Sequence, residues 1–173
     1  MRSGKRIVLV LLTVLLCVGC DQAAKEIARS HLAKTKALSF AEDMVRLDYT
    51  ENRGGVLSFE YCLPQKWRGP TLTVAVATFL GLLMGYLLFV STLRPLAITA
   101  LSLICGGALS NLLDRVLFGG SVVDFLSLGW GGFRTAIFNV ADAAIVSGTV
   151  LLGLGIIWNL RSALFRKTLP SGL

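Results

Sequence analysis

The chain has 173 residues, of which 54% are hydrophobic, and it carries a net charge of +7. This composition is too apolar for an ordinary soluble domain. The basic residues flank apolar runs and form no stripe, which argues against nucleic-acid binding. We therefore expect an integral membrane protein that forms a single domain over residues 1–173 and has no nucleic-acid partner.

Four apolar segments are long enough to cross a bilayer, whose hydrocarbon core requires about 20 helical residues. They lie at about residues 7–30, 70–91, 95–113 and 136–158. The predicted fold is therefore a mainly α-helical, polytopic membrane protein with four transmembrane helices.

The distribution of charge predicts how these segments are oriented. If both termini are cytoplasmic, the net charge of +7 lies entirely inside, because the remaining ten basic and ten acidic residues cancel on the outer side. Such a distribution follows the positive-inside rule. The seven inner basic residues, with no acid among them, are Arg2, Lys5, Arg6, Arg94, Arg161, Arg166 and Lys167.

The first apolar run ends in LLCVGC and also resembles a secretory signal peptide that stops at a lipid-modifiable cysteine, Cys20. However, three further spans follow. Asp21 and Lys25 also continue the run at the i, i+4 spacing of a helical ion pair. We therefore expect the first segment to remain as a transmembrane helix.

The sequence predicts no metal or other cofactor. Cys17 and Cys20 form one C-x-x-C pair, but there is neither a second pair nor a histidine at ligand spacing. His31 is the sole histidine, which argues against zinc hydrolase chemistry.

Residues 38–69 form the only sizeable outer segment. Alternating apolar and polar residues at 45–49 predict a strand, glycines 54 and 55 supply turn residues, and residues 56–59 again favour a strand. Residues 122–128 are a further strand-like run that could pair with them. The expected product is a small extracytoplasmic β platform on the outer leaflet.

Residues 63–68 predict a short helix lying at the membrane interface, where the indole of Trp67 is favoured. Pro70 is expected to open the second span, because the first turn of a helix does not need its missing N–H.

Polar residues of the third span recur on one helix face. Gly107, Asn111 and Asp114 are spaced i, i+4 and i+7. Gly106 and Gly107 should let another helix approach closely. Asp114 is followed directly by Arg115, which predicts an internal ion pair that keeps Asp114 ionised.

After Glu60 the only acidic residues are Asp114, Asp124 and Asp142. Asn139 and Asp142 share a face of the fourth span at i, i+3 spacing. With both termini inside, the end of the third span and the start of the fourth lie at one membrane level, and Asp124 lies between them. We therefore expect Asp124 and Asp142 to meet near the outer surface.

Two carboxyl groups in one site cannot both ionise cheaply, so one keeps a proton at neutral pH. Such a pair can hydrolyse an amide by general acid and base catalysis, with no serine, cysteine or metal. From spacing alone, two alternatives stay open: buried Asn and Asp that only tie helices together, and a proton relay in a small transporter.

Five blocks in chain order resemble the bacterial lipoprotein signal peptidases, the signal peptidase II family. They are Asp21-Gln22-x-x-Lys25, Asn52-x-Gly54, Gly106-Gly107-x-x-x-Asn111-x-x-Asp114-Arg115, Val122-Val123-Asp124-Phe125 and Phe138-Asn139-x-Ala141-Asp142. The resemblance implies an aspartic endopeptidase of the bacterial cytoplasmic membrane, with Asp124 and Asp142 as the catalytic dyad near the outer face. It also implies cleavage of diacylglyceryl-modified prolipoproteins just before the lipidated cysteine.

The same resemblance implies a β-cradle in the outer segment, membrane lipids as surroundings, and a chain that acts as a monomer. Residues that support or line the pocket are then Asp21, Lys25, Asn52, Gly54, Gly107, Asn111, Asp114, Arg115 and Asn139.

Three features depart from the family pattern. Ser110 stands where glycine is usual, Gly55-Val56-Leu57 replaces an Ala-Ala-Phe run, and residues 128–134 are Gly- and Trp-rich. An inactive relative that only binds lipoproteins stays open. The transporter alternative is disfavoured, because residues 95–103 and 145–157 contain no polar residue other than Thr and Ser, apart from glycine.

Overall fold

The computed structural model describes residues 3–54, 64–90 and 92–168. Within these ranges, four helices are long and apolar enough to cross a membrane, as predicted. The helices are α1 (Ser3–His31), α2 (Gln65–Phe89), α3 (Pro95–Leu117) and α4 (Val140–Thr168). The strands are β1 (Leu38–Phe40), β2 (Val45–Asn52), β3 (Val122–Trp130) and β4 (Phe133–Arg134).

Helix α3 is the centre of the bundle. In its apolar segment 44% of the residues are buried, against 17% at most in the other three helices. Glycines make this packing possible. A Cβ atom built on Gly106 would lie 2.7 Å from Cβ of Cys17 on α1, and one on Gly107 would collide with the carbonyl oxygen of Ala141 on α4. Small residues at helix contacts allow such close approach in membranes, so the expectation for the glycine pair is confirmed.

The outer segment and the connection between α3 and α4 together form one antiparallel sheet in the order β1-β2-β3-β4. Opposite Asp124 on β3 lies Thr50 on β2, and opposite Val122 lies Asn52. The predicted strands at 45–49 and 122–128, and their pairing, are therefore confirmed. This register places Asn52 at the end of the sheet where β3 begins, shortly after the end of α3. The strand predicted at 56–59 lies outside the described residues.

The second span lies at Gly69–Phe89, close to the prediction, but the helix that carries it begins earlier than expected. Helix α2 begins at Gln65 and contains Pro70 in its interior, so residues 65–68 are its first turn and not a separate interfacial helix. Leu63 lies outside the described residues. A proline inside a helix leaves one hydrogen bond unmade and crowds the carbonyl group one turn earlier, but α2 continues through this position. The indole of Trp67 remains exposed.

Helices α3 and α4 also have different limits from those expected. The helix α3 extends to Leu117, and the N–H of Phe118 still donates to the carbonyl of Asp114 at 2.7 Å. The helix α4 starts at Val140 instead of residue 136, because Asn139 occupies its N-cap position.

Candidate active site

The first turn of α4 is closed by a reciprocal cap between Asn139 and Asp142. The N–H of Asp142 donates to Oδ1 of Asn139 at 2.8 Å, and the N–H of Asn139 donates to Oδ2 of Asp142 at 3.3 Å. This is the capping-box arrangement, which satisfies two N–H groups that the helix leaves free. It fixes the side chain of Asp142 at the end of α4 that faces the sheet.

Asn139 also holds Asp124. Its Nδ2 group donates to Oδ1 of Asp124 at 2.7 Å, and Nδ2 of Asn52 donates to Oδ2 of the same carboxyl group at 3.0 Å. Asp124 and Asp142 therefore both contact Asn139, although they come from a strand and a helix. The geometry brings the two predicted acids to one place.

A third amide, that of Asn111 on α3, orients Asp142. Its Nδ2 group donates to Oδ1 of Asp142 at 2.9 Å. Its Oδ1 atom accepts hydrogen bonds from Nζ of Lys25 at 2.8 Å and from Nδ2 of Asn139 at 3.1 Å. Because two donors face Oδ1, the amide must present its NH₂ group to Asp142.

A buried ion network lies beneath these amides. Nζ of Lys25 lies 2.6 Å from Oδ2 of Asp21 and 3.0 Å from Oδ2 of Asp114, and all three side chains are fully buried. With its bond to Asn111, the ammonium group uses its three donors. The i, i+4 pair of Asp21 and Lys25 is thus present as predicted.

Both carboxylates of this network also accept hydrogen bonds from backbone N–H groups. Oδ1 of Asp21 accepts from the N–H of Ala141 in the first turn of α4 at 2.8 Å. Oδ2 of Asp114 accepts from the N–H of Val123, next to Asp124, at 3.1 Å. The network therefore ties α1 and α3 to the two backbone segments that present the acids.

The predicted ion pair between Asp114 and Arg115 is wrong. Asp114 pairs with Lys25, and more distantly with Nη2 of Arg29 at 3.5 Å. Arg115 donates to the carbonyl oxygens of Asn111 at 3.3 Å and of Gly54 at 3.5 Å. Successive residues of a helix point about 100° apart, so neighbours in sequence do not face each other.

The other predicted residues occupy the rim and the helix contact. The side chain of Asn52 is exposed, and its Oδ1 accepts from the N–H of Gly54 at 2.9 Å. Gly107 lies at the contact of α3 with Ala141, one residue before Asp142. The structure thus places Asn52 beside Asp124, with Gly54 holding the amide of Asn52, and Gly107 against the residue before Asp142.

Two side chains of the network, Ser110 and Gln22, were not among the predicted site residues. Oγ of the fully buried Ser110 donates to Oδ2 of Asp21 at 2.7 Å and accepts from Nε2 of Gln22 at 3.0 Å. Nε2 of Gln22 also donates to Oδ1 of Asp114 at 2.8 Å. The i, i+4 spacing of Ser110 and Asp114 places both on one helix face and could have indicated Ser110.

The two acids lie in unequal surroundings. Asp124 is 2% exposed, whereas Asp142 keeps part of its surface accessible. Burial, and then the negative charge of Asp142, raise the pKa of Asp124 to about 6, although hydrogen bonds from Asn52 and Asn139 oppose the shift. A carboxyl group with that pKa exchanges a proton near neutral pH, as general acids and bases do. In the described part of the chain, no three His, Cys, Asp or Glu side chains form a group that could hold a metal ion.

This chain is similar to known proteins both in sequence and in fold. A family model described as signal peptidase (SPase) II matches residues 13–158. The lipoprotein signal peptidase of Syntrophus aciditrophicus is 31% identical over 86% of this chain and 91% of its own length. That of Moorella thermoacetica is 34% identical over 82% of this chain and 88% of its own length. A solved bacterial membrane enzyme has the same fold, with a TM-score of 0.73, 22% identity and coverage of 98% of this chain and 94% of its own.

Proposed function

Since this chain belongs to the signal peptidase II family, we propose that it is a membrane-embedded aspartic endopeptidase that removes signal peptides from prolipoproteins. The family is one of proteases, and its curated members are named for lipoprotein signal peptides. The aspartic mechanism, the lipidated substrate and the cleavage position belong to the proposal. The observation that carries it is the shared contact of Asp124 and Asp142 with Asn139.

In the proposed reaction, a water molecule lies between the two carboxyl groups. The ionised carboxylate takes a proton from this water, and the protonated partner donates its proton to the carbonyl oxygen of the scissile peptide. The water oxygen bonds to the carbonyl carbon, which becomes a tetrahedral diol. When the diol collapses, one of its hydroxyl groups returns its proton to the pair, the C–N bond breaks, and the amine leaves with a proton from the pair. The pair therefore ends with one proton, as it began. In this scheme either aspartate can be the first acid.

The amides around the pair fix its geometry before substrate binds. Asn111 and Asn139 donate to the carboxyl groups, and their own oxygens are held by other donors. Pre-organised groups of this kind need no rearrangement when charge develops in the transition state. Because Lys25 holds the amide oxygen of Asn111, we assign Lys25 and its partners Asp21 and Asp114 as positioning residues.

The proposed substrate is a precursor with a diacylglyceryl-modified cysteine, cut just before that cysteine. Its acyl chains remain in the leaflet, so the site must open toward lipid. Asp142 and Asn52 both keep accessible surface, and we place the entrance there, near the outer face of the bacterial cytoplasmic membrane. Both termini are then cytoplasmic, as the basic residues at that end favour, and one chain forms the complete site.

Purified protein in micelles tests this proposal with diacylated and unlipidated forms of one prolipoprotein. We expect cleavage of the diacylated form only. Asp124→Asn and Asp142→Asn should each abolish it, while the isosteric control Asp48→Asn on β2 should cleave like wild type. Cleavage that survives either change in the pair would refute the assignment, and an inactive wild type would favour a protein that only binds lipoproteins.

A further inference from the structure

A groove of about 630 Å³ opens toward the end of the bundle opposite the sheet, between the start of α3 and residues 151–159 of α4. We call it the basic-end groove. Its walls are mostly apolar, and large parts of Leu96, Leu154 and Trp158 are exposed there. Its polar lining includes Arg94 and Asn159. None of these residues takes part in the proposed reaction.

Arg94 brings an uncompensated positive charge to this groove. Its Nη1 atom donates to Oδ1 of Asn159, a neutral amide, and no carboxylate of the described residues pairs with it. The sequence contains no Asp or Glu at 61–113 or after Asp142, so the neighbouring helices supply no counter-charge. Arg6, at the same end, instead caps α2 by donating to the carbonyls of Leu88 at 2.6 Å and Val90 at 2.7 Å.

We propose that the basic-end groove binds an anionic glycerophospholipid, with an acyl chain along its apolar walls and the phosphate paired with Arg94. Basic pockets between membrane helices bind anionic headgroups in this way. The indole of Trp158 is suited to the level of the headgroups. Other occupants fit the charge less well: the start of a signal peptide is itself basic, and a second copy of this end would also bring no acid.

Native mass spectrometry of the delipidated full chain can test the site with phosphatidylglycerol and phosphatidylcholine in separate titrations. We expect phosphatidylglycerol to be retained more strongly. Asn159→Asp places a carboxylate against Arg94 without changing the shape of the groove, and should weaken phosphatidylglycerol binding about fivefold or more. Lys36→Gln changes the net charge equally at the other end of the molecule and should leave binding unchanged.

Arg94→Gln provides the same test should Asn159→Asp fail to fold. Equal retention of the two lipids, or an equal loss with Lys36→Gln, would overturn the proposal. A dimer that Asn159→Asp dissociates would assign the groove to a second copy and would also overturn it. Because binding is measured without substrate, the result is independent of the proposed peptidase activity.

Discussion

Replacing Lys25 by methionine tests the buried network most severely. The side chains are similar in length, so the change removes the ammonium group and leaves little cavity. Asp21 and Asp114 then remain fully buried without their shared cation, and only Arg29, 3.5 Å from Asp114, stays nearby. Removing one partner of a buried ion pair destabilises a protein by about 3–5 kcal/mol, and we expect a loss in this range.

Thermal unfolding in detergent micelles measures this loss. The exposed Lys36→Met serves as the control and should melt like wild type. Adding Asp21→Asn to Lys25→Met removes one of the stranded charges while Oδ1 can still accept from the N–H of Ala141, so the double variant should recover part of the loss. If Lys25→Met melts like Lys36→Met, or if the second change gives no recovery, the buried network does not constrain the fold strongly.

Three further predictions concern the site and its supports. Ser110→Ala leaves a buried carboxylate short of one donor, which costs about 1–3 kcal/mol, and should lower kcat about tenfold with little change in KM. Ser102→Ala, on the same helix and with no hydrogen-bond partner among the described residues, should keep wild-type kinetics; equal effects would contradict the role of Ser110. Gly107→Ala should destabilise the fold by about 1–3 kcal/mol, because its Cβ meets a carbonyl of α4. A Cβ atom built on Gly81 has no atom within 4 Å, so Gly81→Ala should not destabilise the fold. Equal melting of the two variants would count against the close α3–α4 contact. Burial raises the pKa of Asp124 from 3.8 to about 6, so the folded protein favours the protonated carboxyl group. The resulting contribution to the free energy of unfolding is fully present below pH 3.8 and is lost as pH rises through about 6. The melting temperature should fall across this window, by the equivalent of roughly 3 kcal/mol, and Asp124→Asn should flatten the profile; a wild-type profile that is flat or rises would contradict the shift.

The meeting of Asp124 and Asp142 could be expected from the sequence because membrane topology restricts where they can lie. Spans that alternate in direction put the end of the third and the start of the fourth at one level, and Asp124 lies on the link between them. The pairing of β2 with β3 could likewise be predicted, because the alternating residues at 45–49 form a strand with one apolar face that must be covered.

The partners of Asp114 could not be found in this way. Helical spacing gives the face on which a residue lies, but not how two helices are rotated against each other. Asp114 therefore meets Lys25 of α1 and not its neighbour Arg115. The course of α2 through Pro70 was missed because proline marks a helix start more often than an interior, and here one lost hydrogen bond does not end the helix.

Cleavage of the diacylated precursor in heavy-oxygen water, followed under single-turnover conditions by intact mass, tests the central claim most directly. If the two aspartates activate water, the released signal peptide carries one heavy oxygen at its new carboxyl end, and no enzyme–peptide adduct forms at any time. An adduct that appears before the products would show that a side chain attacks the peptide first, and would contradict hydrolysis by the Asp124 and Asp142 pair.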